Sequence, residues 1–198
     1  MNPEFKRRCV AISENKWVIF DVDGTLLDVS VRRKLARLLA SEFRVNDLET
    51  DSDLTVRNFM EERSLLASDR VYEGIVTLLD ELYRIDNLKL AVYTARQKRP
   101  ELLDQLENLG LIQYFSLVIN TGGAPKSHKD LQIGDISGNV LAYLGDTEED
   151  REVSMRAGAH FISIPLAIAR GDTPDLAGER SFFSEASKKL LIKLNQLR

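Results

Sequence analysis

Residues 16–25 read Lys-Trp-Val-Ile-Phe-Asp-Val-Asp-Gly-Thr, and this stretch decides the fold. Lys16 to Val22 is a compact apolar run rich in β-branched and aromatic residues, which predicts a buried strand. Asp21 and Asp23 close it, two residues apart, so strand alternation points both carboxylates in similar directions if the strand continues that far. Gly24 then permits a tight turn. Carboxylates this close repel each other, and a divalent cation offsets the repulsion; oxygen ligands of this type suit magnesium. Read alone, the string is equally a solvated turn at a strand end, so the rest of the chain must decide.

Four further β-like runs follow: Leu88 to Tyr93, Leu117 to Asn120, Val140 to Leu144, and Phe161 to Ile164. Helical patterns separate most of them. Ile75, Leu78, Leu79 and Leu82 share one face of a helix placed near Tyr72; Leu102, Leu103, Leu106 and Leu109 share another, between Pro100 and Gly110. Thr147 with Asp150 three residues later predicts a capped helix running to about Ala157. A final helix is expected from Ser184 to Leu197. Strand–helix alternation predicts an α/β fold: a Rossmann-like, mostly parallel sheet of about five strands flanked by helices. Residues 29–70 break the alternation. Val31, Leu35, Leu38 and Leu39 fit one helix face, followed by Phe43, and Leu54, Phe59, Leu65 and Leu66 suggest further helix. The expected organisation is a core of residues 1–28 and 71–198 carrying a small helical cap insert, 29–70, after the first strand.

Parallel sheets bind ligands at the carboxyl ends of their strands, and polar groups follow four of the five runs. Thr94-Ala95-Arg96 follows the second, where a hydroxyl and backbone N–H groups can hold phosphoryl oxygens, or simply cap a helix. Lys126 follows the third, past Gly122 and Gly123, with Lys129 as a second candidate lysine. Gly145-Asp146-Thr147-Glu148-Glu149-Asp150 follows the fourth, an acidic start that the helix dipole favours in any case. Each has an ordinary structural explanation. Four such groups after successive strands, two acidic and two able to bind phosphate, argue for a site.

On these residues the chain resembles the haloacid dehalogenase-like superfamily of phosphotransferases. D-x-D-G-T at Asp21 to Thr25 looks like its first motif, Thr94 its second, Lys126 its third, and G-D-x-x-x-D at Gly145 to Asp150 its fourth. The resemblance spans about Trp17 to Pro165. It implies a phosphatase in which Asp21 is nucleophile and metal ligand. Asp23 would be general acid, then base, and offer its backbone carbonyl to the metal. Thr94 would bind the phosphoryl group and Lys126 would neutralise charge, with Gly24, Thr25, Ala95 and Arg96 as substrate-binding positions. Asp146 would complete the Mg2+ site, with Asp150 a ligand or a supporting partner. Lys126 is preferred to Lys129 because it precedes Asp130 by four residues, as in the family motif. Gly134, Ser137 and Gly138 interrupt the stretch after it, where the family often has a helix. The insert is small for a cap of this superfamily. Arg32, Arg33, Lys34 and Arg37 read as a solvated helix face, or alternatively as an electropositive rim that attracts an anionic substrate. Arg96 reads either as a substrate contact or as a loop solvator.

Composition is compatible with this. Hydrophobic residues are 43% and charged residues 29%, with net charge −4, ordinary for a globular protein and without a signal for nucleic acid or membrane surfaces. The one cysteine, Cys9, allows no internal disulfide or thiolate metal cluster, and His128 and His160 are too few and too separated for a metal site of their own. The N-terminal residues lack the apolar run of a signal peptide, so the expected location is the cytoplasm. The expected partner is a phosphorylated substrate, a small molecule. Alternatives are a phosphomutase or other phosphotransferase using the same Asp pair, and a signalling phospho-acceptor or non-catalytic protein of related fold. The long insert and the late G-D-x-x-x-D argue against a signalling receiver.

Overall fold

A computed structural model of the chain describes residues 15–46, 52–132, 136–169 and 174–195. Cys9, Gly134 and Leu197, and the side chains of Phe43 and Leu54, lie outside the described residues. Five strands form one parallel sheet: β1 (Lys16–Phe20), β4 (Leu88–Thr94), β5 (Leu117–Asn120), β6 (Val140–Gly145) and β7 (His160–Ser163). Their spatial order is β5-β4-β1-β6-β7, so β1 is central. The chain moves outward from β1 on one side, through β4 and β5, then crosses back to β6. That reversal opens a crevice at the carboxyl end of β1.

The central strands read as unbroken apolar runs because both faces are covered. Val18 and Phe20 of β1, with Leu90 and Val92 of β4, face α4 (Ile75–Tyr83), α5 (Arg99–Asn108) and α8 (Leu176–Asn195), and join one buried cluster. Trp17 and Ile19, with Ala91 and Tyr93, face the opposite layer, where Val153 of α6 (Glu148–Arg156) and Leu131 close a second cluster. The four leucine and isoleucine positions expected to share one face of α4 are all buried. Pro100 lies in the first turn of α5. Gly110, at φ 67°, ends that helix, and the Leu111 N–H closes it on the Leu106 carbonyl at 2.8 Å. The helix expected near Tyr72 begins only at Ile75, and α8 starts well before Ser184.

Between β1 and α4 lies the helical insertion. A two-residue ladder, β2 (Leu27–Asp28) with β3 (Arg70–Val71), closes its base. Three helices fill it: α1 (Ser30–Asn46), α2 (Ser52–Met60) and α3 (Arg63–Leu66). The apolar residues grouped on α1 are exposed, whereas its buried side is Arg32, Ala36 and Ala40. The reading of Arg32 as part of a solvated face is therefore corrected: it is fully buried, for the reason given below. Among the described residues, no helix is long and apolar enough to cross a membrane.

Candidate active site

β1 stops at Phe20, one residue before the first acid, which corrects the expected strand end at Val22. The Asp21 N–H still donates to the Leu144 carbonyl of β6 at 3.0 Å, so Asp21 is pinned between two central strands. Asp23 is past the strand, in a turn where Gly24 adopts φ 82°. The two carboxylates consequently reach different partners.

Asp21 is buried and accepts from the Lys126 ammonium at 2.6 Å; the same ammonium donates to Asp150 at 2.6 Å. The Lys126 ammonium also lies 5.8 Å over the Tyr93 ring. Lys129, the competing lysine, is exposed on the following 3-10 turn, His128–Leu131. Carboxylate oxygens of Asp21, Asp146 and Asp150 all lie within 4.8 Å of one another, and all three residues are buried. Two glycines permit that convergence. A Cβ on Gly24 would stand 2.6 Å from an Asp146 oxygen, and one on Gly145 would stand 2.5 Å from the Asp150 Cβ. Three buried carboxylates form a hard-oxygen donor set that could hold a metal ion of the magnesium type. Burial pushes the Asp21 carboxyl up to about 8; Asp150 and Asp146 reinforce this against the opposing Lys126 charge. Burial alone would lower the Lys126 ammonium, but Asp21 and Asp150 outweigh it and raise it.

Asp150 has several protein partners. It completes the expected capping box of α6: the Thr147 N–H and hydroxyl donate to one of its oxygens, at 3.1 and 2.6 Å. Its other oxygen accepts from Lys126 and from the Tyr143 hydroxyl at 2.9 Å. Asp150 thus anchors the lysine as well as contributing to the acidic cluster.

Asp23 instead belongs to an arginine clamp. Arg96 donates to its two oxygens at 3.1 and 2.5 Å, and Arg32 donates to it from α1. Burial would raise the Asp23 carboxyl, but the Arg32 and Arg96 guanidiniums outweigh it and hold the group well below the usual carboxylate range. Arg32 also donates to the Met60 carbonyl at 2.9 Å and pairs with Asp69 at 3.1 Å. Gln105 braces the other arginine, accepting from Arg96 and donating to Asp69 at 2.9 Å. Arg96 is therefore a buried structural cation rather than a loop solvator. Replacing Arg32 with Met would leave Asp23 and Asp69 short of a cation they share, and should destabilise the chain by about 3 kcal/mol in urea titration. A change below about 0.5 kcal/mol would show that the clamp contributes nothing.

Asp21, Asp23, Thr94, Ala95, Arg96, Lys126 and Asp146 all line one cleft of about 570 Å³ at the carboxyl end of the sheet. Gly24, Thr25 and Asp150 are not among its lining residues. Thr94 ends β4, five residues before α5 begins, so it does not cap that helix; its hydroxyl accepts the Arg96 N–H at 3.4 Å. The insertion contributes Arg33, Arg37, Val56, Arg57, Met60 and Glu61 to the same cleft. Sequence reading did not assign Glu61, Asp69, Gln105 or Tyr143 to the site. Glu61 and Asp69 reach it only through contacts distant in sequence, and Tyr143 and Gln105 through side-chain bonds to Asp150 and Arg96 at spacings that match no motif.

Comparison with known proteins agrees with this architecture. A family model described as haloacid dehalogenase-like hydrolase matches residues 39–164. No curated protein matches the chain. Among solved structures, a HAD-superfamily hydrolase from Ehrlichia chaffeensis superposes with TM-score 0.61 at 18% identity, covering 87% of this chain and 97% of its own. A protein from Clostridium acetobutylicum described as a predicted phosphatase gives 0.58 at 19% identity, over 89% and 98%. A HAD-superfamily hydrolase of subfamily IA from Geobacter sulfurreducens gives 0.57 at 22%, over 75% and 89%. These identities speak for a shared fold. With the family match extending over more than half of its length, the chain belongs to the haloacid dehalogenase-like hydrolases.

Proposed function

We propose that this chain is a magnesium-dependent phosphomonoester hydrolase in which Asp21 is the nucleophile. One observation carries the reading: a buried carboxylate in the wall of the cleft, bonded to a lysine and flanked by two further carboxylates. The similarity to a protein described as a phosphatase supports it. The insertion would act as a small cap over the cleft.

A phosphate ester is anionic and repels an approaching carboxylate. Magnesium, held by Asp21, Asp146 and the Asp23 carbonyl with Asp150 beside them, would supply positive charge where those anions meet. Lys126 supplies a second positive charge from the protein itself. Asp21 attacks phosphorus, the ester P–O bond breaks, and an aspartyl-phosphate forms; water then attacks that phosphorus and frees Asp21. Thr94 and the Ala95 and Arg96 backbone N–H groups orient the phosphoryl oxygens. Asp23 is held as a carboxylate by its two arginines, so it does not carry the proton that the expected general-acid role needs; the role we assign it is that of base toward the attacking water. An aryl leaving group departs without needing that proton in advance, which makes an aryl phosphate the appropriate first substrate. Phosphate release that requires magnesium and stops with chelator is the expected result. Equal release in chelator would reject the metal-dependent mechanism.

The metal requirement carries a pH signature. With its carboxyl pushed up to about 8, Asp21 holds a proton at neutral pH that a metal must displace. Apparent magnesium affinity should rise about tenfold per pH unit and level off above pH 8 or so. Calorimetric titration in buffers of different ionisation enthalpy reads the proton release directly. Affinity independent of pH between about 6 and 8 would contradict the assignment of Asp21 as ligand.

A further inference from the structure

The cleft has a second positively charged region that the chemistry above does not use. Arg33 and Arg37 stand one turn apart on α1, and Arg57 comes from α2; all three line the cleft that contains Asp21. They differ from Arg32 and Arg96, whose guanidiniums are consumed by Asp23, Asp69 and Gln105. Among the described residues, the side chains of Arg33, Arg37 and Arg57 make no ion pair or hydrogen bond. Among the described residues, neither glutamate of the cleft wall forms an ion pair with them. Glu61 accepts from the Gln97 N–H at 3.2 Å, and Glu149 from the Lys126 N–H at 2.9 Å.

Three guanidiniums without ion-pair partners line one wall of the cleft; Arg37 and Arg57 are exposed, so solvent screens their mutual repulsion, and an anion seated among them is attracted by all three. The transferring phosphoryl group has its own positive charge from Lys126 and has no need of these three. Val56 and Met60 beside them offer an apolar surface for a short spacer. We infer that the substrate carries a second anionic group, a phosphoryl or a carboxylate, which Arg33, Arg37 and Arg57 bind while the first phosphoryl meets Asp21. This rests on the phosphatase reading for the role of Asp21, and on the cleft itself for the second subsite. Guanidiniums suit either anion, since they present paired N–H donors to two oxygens at once.

Binding of non-hydrolysable phosphonates separates the two ideas, because a carbon–phosphorus bond makes the result independent of turnover. The probes are an alkyl phosphonate, the matched phosphonocarboxylate and the matched bisphosphonate, each with short and long spacers, titrated calorimetrically in magnesium buffer. A doubly anionic probe should bind at least about tenfold more tightly than the alkyl phosphonate. The better of the two identifies the second anion. Each change of Arg33, Arg37 or Arg57 to Gln should shrink that ratio by about threefold to tenfold, and the triple variant should bring it close to one. Raised salt should shrink it too. Equal binding of all three probes, or a preference that survives the triple substitution, overturns the inference. Aryl phosphate turnover, measured in parallel, reports on the phosphatase reading separately: it can fail while the binding preference stands, and the reverse.

Discussion

Asp21→Asn should reduce magnesium-dependent phosphate release from an aryl phosphate by about a thousandfold or more. Asn keeps the shape and the backbone bond to Leu144, but its amide is no nucleophile toward phosphorus. Asp23 cannot substitute, because Arg32 and Arg96 hold its carboxylate. Asp150 cannot substitute either, since its oxygens are taken by Thr147, Tyr143 and Lys126. The variant should also change stability in the opposite sense to activity. The raised Asp21 carboxyl means that the folded chain binds a proton more tightly than the unfolded chain does. Without metal, that group's contribution falls as pH rises from about 4, and the fall is complete above about 8. Asp21→Asn removes this slope, so the metal-free variant should equal or exceed wild type in melting temperature at pH 8. Turnover that survives the substitution would assign the nucleophile elsewhere. Lost turnover with a collapsed melting temperature would leave the role of Asp21 confounded with folding, and Asp21→Glu, which keeps the charge but misplaces it, then separates the two.

The sheet was legible because its signals are local. An apolar run such as Lys16 to Phe20, covered on both faces, needs no alternation to be recognised as a strand. Thr147 and Asp150 announced their helix through side chains that bond backbone N–H groups three residues apart. The order of the polar groups after successive strands was equally legible, since topology gathers strand ends. The arginine clamp was not. On α1, periodicity groups Val31, Leu35, Leu38 and Leu39, yet Arg32, Ala36 and Ala40 are the buried side. A fully buried arginine is affordable only with anionic partners, and Asp23 and Asp69 are supplied from either end of the insertion. Nothing at helical spacing records that. The β2–β3 ladder escaped for a simpler reason: two residues per strand leave no pattern to read.

Lys126→Ala should destabilise the chain by about 3 kcal/mol without metal and lower turnover by about a hundredfold. The lysine side chain is almost entirely buried, at 4% exposure, and its ammonium is shared between two buried carboxylates. Deleting it leaves Asp21 and Asp150 without the ammonium they share, with Asp146 converging on the same point. Their repulsion then has two outlets. Asp21 can hold its proton more tightly and to higher pH, since Lys126 no longer opposes it, which lessens the loss of stability at low pH and exposes it in full as pH rises. Alternatively a divalent cation can occupy the cluster, so magnesium should raise the melting temperature of the variant more than that of wild type. Activity has no such remedy, because the ion cannot also reproduce the charge that Lys126 presents from its own position beside the nucleophile. Lys129→Ala is the matched control: that side chain is exposed, and its loss should change stability by less than about 0.5 kcal/mol and leave turnover near wild type. Urea titrations with and without magnesium, alongside aryl phosphate turnover, distinguish the two lysines. Should Lys129→Ala prove the damaging change and Lys126→Ala the silent one, the charge balance proposed for this site would be wrong at its centre.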